Sequence, residues 1–321
     1  MAAALLVPRP AAAQPSIWDQ ARDPHLAKAA HVMHGVERML LRAQEAQFAP
    51  DMQADFTRSA LAMLELAGGS ELPDVRLRYL LGDLLVDPAI GRYDEDERLL
   101  RRALHEAPEH PLAAQGWFDL AISEAKLHKP KLEIDAYNHA LERAWQPELR
   151  ANIFMNRGES RMVLGHLQAA LSDYRRALQI AQRPDLRALA YYGLGITLER
   201  SGDLPSALDA MQKANGIQVQ AYGIMGSALD IPTVFFVPPY DLFYYKALSM
   251  MAAARNARAP SKKVAQLERA VTYLSRYLAG AEHDHQPWVQ HAKLLRSACQ
   301  RKLAKATVEL ARSHQKKKRS R

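Results

Sequence analysis

The sequence has 321 residues, of which 48% are hydrophobic and 24% charged, with a formal net charge of +8 and one cysteine. It contains no stretch of about 18 apolar residues, so it predicts no membrane-spanning helix. A single cysteine excludes an intramolecular disulfide and a zinc site made of thiolates alone. Alanine and leucine are abundant and runs of β-branched residues are scarce, which favours helices over strands.

The first fourteen residues resemble a secretory signal peptide that lacks its beginning. Residues 2–7 are apolar, and the small residues 11–13 precede Gln14 in the manner of a cleavage site. The segment is short, and no basic residue precedes its apolar part. We therefore expect 1–14 to be a truncated signal peptide and the mature chain to act in a bacterial periplasm. The alternatives are a disordered Ala/Pro tail and a cytoplasmic location.

Residues 15–73 predict an N-terminal helical hairpin that caps the rest of the chain. Apolar periodicity indicates one helix over 25–47 and a second over 51–67. His31 and His34 share a face of the first helix, where they would suit a metal ion or an ordinary polar surface. We expect the polar surface and no bound metal.

A step of 37 residues recurs through the middle of the chain. Four alanines keep this step, namely Ala103, Ala140, Ala177 and Ala214. Three residues before each alanine lies a large apolar side chain, from Leu100, Tyr137, Tyr174 and Met211. The same step predicts turns at Gly91, His128, Gly165 and Gly202. Because small residues let two helices approach closely, the span 74–216 predicts four helical hairpins.

These marks resemble the tetratricopeptide repeat across about 75–215, and the units at 149–183 and 186–216 match best. Within the last unit, Leu194-Gly195, Ala207 and Ala214 stand where the family has its Leu-Gly and its two alanines. The step of 37 exceeds the family's usual repeat of about 34 residues, and longer turns accommodate the excess. The resemblance implies an all-α fold: a right-handed solenoid of helical hairpins, a tetratricopeptide-like superhelix, with one irregular inserted loop.

That inserted loop is the segment 217–240, where the helical pattern breaks. Phe235 and Phe236 lie in an apolar run between prolines, and such a run cannot continue a helix. Either the segment packs into the superhelix or it presents an apolar surface to a partner. We expect at least one of the two phenylalanines to point inward.

The C-terminal part predicts a divergent repeat and a capping helix over 241–311, with Cys299 as a small buried hydrophobe. Residues 282–285 offer acidic and imidazole side chains, but a solvated loop is favoured over a metal site. Residues 312–321 hold six lysines and arginines and no acid, which leaves 8 − 6 = +2 for the rest of the chain. We expect a disordered basic tail there.

The family binds peptides on the concave face, which the first helix of each unit lines, so the resemblance implies a peptide groove. Its residues here would be Phe118, Asp119, Ile122, Asn152, Met155, Asn156, Glu159, Tyr192, Ile196 and Arg200. One family mode clamps a C-terminal carboxylate, and only Asn156 fits that pattern. We expect instead an extended or helical peptide with apolar side chains, its backbone held by Asn152 or Asn156. The alternative is that these residues are ordinary groove lining.

Catalytic motifs are absent from the sequence: it has no phosphate-binding glycine loop, no Gly-x-Ser-x-Gly elbow and no His-Glu-x-x-His. We therefore predict a non-catalytic scaffold or adaptor that binds peptide segments of partner proteins in a multiprotein assembly, without cofactor, metal or small-molecule substrate. Two alternatives stay open. One is a protein that binds nucleic acid or an anionic membrane through its basic tail, and the other is an enzyme of unrecognised type.

Overall fold

The computed structural model describes residues 24–45, 50–71, 74–222, 228–230, 234 and 236–319. Within these ranges the chain forms thirteen α-helices and no strand. It divides into two compact units, Met1–Ile153 and Phe154–Arg321. The predicted signal peptide and the residues up to 23 lie outside the described part of the chain, as does Phe235.

The first unit is built from helical hairpins, each a pair of helices joined by a short turn. Its helices are α1 (Pro24–Glu45), α2 (Pro50–Ala67), α3 (Val75–Leu85), α4 (Tyr93–Glu106), α5 (Ala113–Lys126), α6 (Pro130–Arg143) and the start of α7 (Pro147–Val163). A short 3-10 helix, Gly69–Glu71, precedes α3. Helices α1 and α2, α3 and α4, and α5 and α6 pack as pairs, and each pair contacts the next.

The second unit continues the same pattern from the remainder of α7. Its helices are α8 (Leu167–Ile180), α9 (Pro184–Arg200), α10 (Leu204–Tyr222), α11 (Asp241–Arg255), α12 (Pro260–His283) and α13 (Val289–Arg319), with a 3-10 helix at Ala228–Asp230. Helices α9 and α10, and then α11 and α12, pack as hairpins, and α13 lies against α12. The predicted all-α fold of stacked helical hairpins is confirmed.

The residues that keep the 37-residue step lie at the centre of this packing. All four of its alanines are fully buried, and so are the four large side chains that precede them. Two helices can approach closely at an alanine, because its side chain is a single methyl group. The large side chain one turn earlier fills the space beside this close contact. The repeat in the sequence is therefore a repeat of helix-to-helix contacts.

The predicted turns between paired helices all have a left-handed backbone. Gly91, Gly165 and Gly202 have φ of 67°, 78° and 90°, and His128, in the same register, has φ of 57°. Glycine adopts this conformation without steric cost, whereas a residue with a Cβ is strained by about 1 kcal/mol or more. The register of the repeat thus imposes the left-handed turn on His128 as well.

Two boundaries differ from the sequence prediction. Helix α10 runs to Tyr222, so the irregular segment begins later than residue 217, because no proline follows Pro205 in the helix to stop it. Helix α13 runs to Arg319, so most of the span predicted as a disordered tail is helical. Lysine and arginine have good helix propensity, and 312–319 contain no glycine or proline to end the helix.

The C-terminal expectations that fall on described residues can be located directly. Phe236 is half-buried, with its ring edge-on to Tyr245 and a centroid distance of 5.0 Å, so this phenylalanine does pack inward. Cys299 is fully buried, and burial raises the pKa of its thiol to about 11, as expected of a packing residue. His31 and His34 are both exposed.

Candidate peptide-binding site

The ten residues predicted to line a peptide groove are distributed over both units, and most of them are buried. Seven are covered by other parts of the chain: Phe118, Asp119, Asn152, Met155, Tyr192, Ile196 and Arg200. Three are half-buried and keep contact with solvent: Ile122, Asn156 and Glu159. Most of the side chains predicted to contact a peptide are therefore already covered by neighbours within their own unit.

In the first unit, the predicted residues of α5 face the core. The ring of Phe118 lies 6.0 Å from that of Tyr137 on α6, centroid to centroid. Asp119 is buried, and its Oδ1 accepts a hydrogen bond of 2.8 Å from the side chain of Gln115. Small and apolar residues occur nearly all around α5, so both of its faces are covered.

Beneath this face lies a cluster of buried carboxyl groups that the sequence analysis did not predict. Asp83 on α3, Asp96 on α4 and Asp119 on α5 influence one another electrostatically. One carboxyl oxygen of each lacks a hydrogen-bond partner within the described structure. Only Asp96 receives a short hydrogen bond from another helix, 2.6 Å from the hydroxyl of Ser123. The spacing of these three residues does not fit any motif, so only the folded arrangement reveals them.

Burial determines the protonation of this cluster. It raises the pKa of Asp83 to about 7, and it raises the pKa of Asp96 and Asp119 well above the ordinary value for aspartate. The mutual repulsion of the three groups adds to the effect, because each ionised neighbour disfavours a further charge. At mildly acidic pH the cluster is therefore held largely in its protonated form.

In the second unit, Tyr192 and Ile196 of α9 are integrated into the hairpin core. The hydroxyl of Tyr192 lies 3.0 Å from Oδ1 of Asn215 and 2.6 Å from Oε1 of Gln218, which ties α9 to α10. Ile196 is completely buried. Neither side chain is available to a partner in this conformation.

Arg200 ends α9 inside a polar cluster of its own unit, with its side chain 1% exposed. Its guanidinium lies over the rings of Tyr244 and Trp288, at 5.4 and 5.0 Å from the centroids. One terminal nitrogen is 3.8 Å from a carboxylate oxygen of Asp241. Burial lowers the pKa of Arg200, but Asp241 and the nearby tyrosines raise it by more, so the guanidinium stays charged.

The neighbouring Glu199 connects three elements of the second unit. Its buried carboxylate accepts a 2.6 Å hydrogen bond from the hydroxyl of Tyr244 on α11 and lies 2.6 Å from Nε2 of His291 on α13. This hydrogen bond raises the pKa of His291. The end of α9 is thus fixed by side chains from α11 and α13, which explains why Arg200 is buried.

A second ion cluster, also missed from the sequence, joins α7 to α8. The two oxygens of Asp173 receive bonds of 2.9 and 2.7 Å from Nε and Nη2 of Arg157, and Arg161 adds a contact of 2.7 Å. Arg157 and Arg161 are four residues apart, so they lie on one face of α7. The sequence shows this four-residue spacing of the two arginines. It does not show their acidic partner, because Asp173 lies on the following helix.

Of the predicted groove residues, only the half-buried ones are accessible to a ligand. Within the described structure, the side-chain amide of Asn156 makes no hydrogen bond, although the hydroxyl of Ser160 donates to its backbone oxygen at 2.9 Å. An amide supplies both a donor and an acceptor, which matches the hydrogen-bonding groups of a peptide backbone. Ile122, in the other unit, is half-buried and packs against the core there.

The comparisons with known proteins bear on the same helices. Residues 149–215, which span α7 to the middle of α10, match the family described as Tetratricopeptide repeat. The tetratricopeptide-repeat match is thus shown for residues 149–215. A comparison with curated protein sequences finds no match. The repeats seen in the sequence and the hairpins of the fold agree with the family match over these residues.

Several solved structures are similar to part of this chain at low sequence identity. MamA AMB-1 is 23% identical, with 53% of this chain and 94% of that chain covered and a TM-score of 0.44. BtubC (BKLC) from P. vanneervenii is 20% identical, with 64% and 95% covered and a TM-score of 0.47. YrrB, described as a TPR protein with an unusual peptide-binding site, is 24% identical, with 52% and 80% covered and a TM-score of 0.41.

The described part of the chain has no group of three or more histidine, cysteine, aspartate or glutamate residues arranged to hold a metal ion. None of its helices is long and apolar enough to cross a membrane.

Proposed function

We propose that this chain is a non-catalytic scaffold or adaptor that binds peptide segments of partner proteins within a multiprotein assembly. The observation that carries the proposal is the succession of four helical hairpins in the 37-residue step, with a tetratricopeptide match over 149–215. Stacked hairpins present the first helix of each unit on one face, which is the surface that repeat proteins of this kind use for recognition.

Asn156 is the residue that we assign to peptide contact. Its amide is half-exposed and makes no hydrogen bond within the described structure, so it can bind a peptide backbone without first breaking an internal contact. Seven of the ten predicted residues are buried, and we assign them to support of the face instead. The remaining contacts suit an extended or helical segment with apolar side chains.

The expected location is the bacterial cell envelope. This part of the proposal rests on the signal-like residues 1–14 alone, which end in three alanines before Gln14. Separation of periplasm from cytoplasm after expression of the native gene, followed by N-terminal sequencing, tests it. A chain that keeps Met1 and stays in the cytoplasm would contradict this location without affecting the peptide-binding proposal.

The test of peptide binding is selection of a random peptide library on the immobilised chain, followed by calorimetry with the recovered peptides. Asn156→Ala is expected to weaken their binding about 5- to 10-fold, the usual effect of losing a single hydrogen bond of about 1 to 1.5 kcal/mol. Asn256→Ala is the matched control, because Asn256 is also exposed but lies at the end of α11. Failure to recover any peptide, or equal binding by both variants, would contradict the assignment.

A further inference from the structure

Helix α13 is the most strongly charged element of the described chain. Its 31 residues include ten lysines and arginines and a single acid, Glu309. That acid lies 3.3 Å from Nζ of Lys263 on α12, so it is already paired. The cationic character found in the sequence therefore extends over a folded helix and is not limited to the last ten residues.

One side of α13 packs on its own unit. Ala292, Leu295, Cys299 and Ala306 are buried, and their spacing of three, four and seven residues follows one stripe along the helix. The thiol of Cys299 lies 3.8 Å from the carbonyl oxygen of Leu267 on α12, which identifies the neighbour. The opposite side of α13 consequently faces away from α12.

That opposite side, which we call the outer face of α13, consists of Leu294, Arg301, Lys305, Val308 and Arg312. These residues are separated by seven, four, three and four positions, so they share one stripe. All five are exposed, Leu294 to 71% and Val308 to 51%. At about 1.5 Å per residue, the stripe is roughly 27 Å long.

The three cations of the outer face have no ion-pair partner among the described residues. Two acids that form ion pairs at α13 have other cations as partners: Glu282 pairs with Lys293 at 2.8 Å, and Glu309 pairs with Lys263. The positive potential of the outer face is therefore not cancelled by the fold, and it is complementary to a dense array of negative charge.

We propose that the outer face of α13 binds the surface of an anionic phospholipid bilayer. A polyanion of any kind would attract its cations, but Leu294 and Val308 distinguish the candidates. Exposed apolar side chains gain little beside the phosphates of a nucleic acid, whereas they can enter the boundary between headgroups and acyl chains while the cations contact the headgroups. The helix lies on the bilayer and does not enter it, because its apolar stripe is occupied by α12.

Each cation near an anionic membrane surface contributes about a five-fold increase in binding. Neutralising Arg301, Lys305 and Arg312 together is therefore expected to reduce binding on the order of 100-fold. The effect should diminish with added salt, since screening shortens the reach of these charges to about 10 Å at 0.1 M. This proposal is independent of the peptide-binding function.

The test is co-sedimentation of the full chain with phosphatidylcholine vesicles that contain phosphatidylglycerol, compared with vesicles of phosphatidylcholine alone. The triple variant Arg301→Gln, Lys305→Gln, Arg312→Gln should lose binding to the anionic vesicles. The matched control is Arg175→Gln, Lys262→Gln, Arg269→Gln, which removes the same charge from exposed cations on α8 and α12. A third variant, Leu294→Gln with Val308→Gln, should weaken binding a few-fold at unchanged charge.

The proposal stands if the first triple variant loses binding and the matched control retains it, while circular dichroism shows the same helicity for both. It is overturned if the wild-type chain does not bind anionic vesicles, or if both triple variants lose binding equally, which would indicate an effect of net charge alone. It is also overturned if a duplex DNA oligonucleotide binds more tightly than the vesicles and competes for the same three cations.

Discussion

The buried carboxyl cluster of the first unit makes its stability fall as the pH rises. Burial raises the pKa of Asp83 from 3.8 to about 7. A group whose pKa is higher in the folded state contributes stability that is complete below its unfolded pKa and is lost as the pH rises through its folded pKa. The window for Asp83 therefore extends from about pH 4 to about pH 7.

The largest change in stability that Asp83 can cause follows from the size of its pKa shift. A difference between 3.8 and about 7, at about 1.4 kcal/mol per pKa unit, corresponds to roughly 4 kcal/mol. We expect Asp83→Asn to realise about half of it, near 2 kcal/mol at about pH 8, and about 1 kcal/mol or less at about pH 5, where only part of the loss has occurred. The variant keeps the shape of the side chain and removes the charge that the site disfavours.

The assay is urea denaturation followed by circular dichroism at both pH values, with hydrogen exchange of α3–α5 to assign the change to the first unit. Asp94→Asn is the control, because Asp94 is an exposed carboxyl at the start of α4. The measured quantity is the difference between variant and wild type at the two pH values, which cancels other titrating groups. If that difference does not grow with pH, or if the control shows the same growth, the reasoning is wrong.

Three further changes test local packing. Gly193→Ala would place a methyl group 2.1 Å from Cε1 of the buried Tyr174 ring, so we expect thermal denaturation to show a loss of about 2 to 3 kcal/mol. His128→Gly removes strain at a left-handed residue and should stabilise the chain by about 0.5 to 1 kcal/mol. Phe236→Ala removes the ring contact with Tyr245 and should cost about 1 to 2 kcal/mol, measured by the same denaturation.

The first two of these changes have controls within the chain. Gly216→Ala is made in α10, where nothing lies within 4 Å of the added Cβ, so a helix-propensity gain of up to about 1 kcal/mol is expected instead of a loss. His128→Ala keeps a Cβ and should therefore not reproduce the gain of the glycine variant. A melting temperature unchanged by Phe236→Ala would show that inward packing of this ring contributes nothing.

The sequence was sufficient to predict the helical hairpins, because the residues at each helix-to-helix contact recur at the repeat spacing. Ala140 and Tyr137 recur with their equivalents at a fixed step, and the turn at His128 was indicated by its register, although its left-handed backbone was not. The extent of α13 was not predicted, since a run of lysines is compatible with a solvated helix and with a disordered tail.

The site was predicted less well, for a physical reason. Periodicity shows which side of a helix a residue occupies, but it does not show what covers that side. Arg200 was placed on the concave side of α9, yet its surroundings come from Tyr244 and Trp288, more than forty residues later in the chain. Likewise the partner of Arg157 is Asp173 on the next helix, a pairing that local spacing does not encode.

One position of the repeat illustrates how duplicated units diverge. Gly82, Asp119, Asn156 and Gly193 are equivalent, 37 residues apart. At Gly82 and Gly193 the absence of a side chain makes room for a neighbour, Leu100 in one case and Tyr174 in the other. At Asp119 the position holds a buried acid, and at Asn156 an amide that makes no hydrogen bond within the described structure. The same backbone position therefore excludes a side chain in two repeats and carries a polar one in the other two, because the neighbour packed against it differs from repeat to repeat.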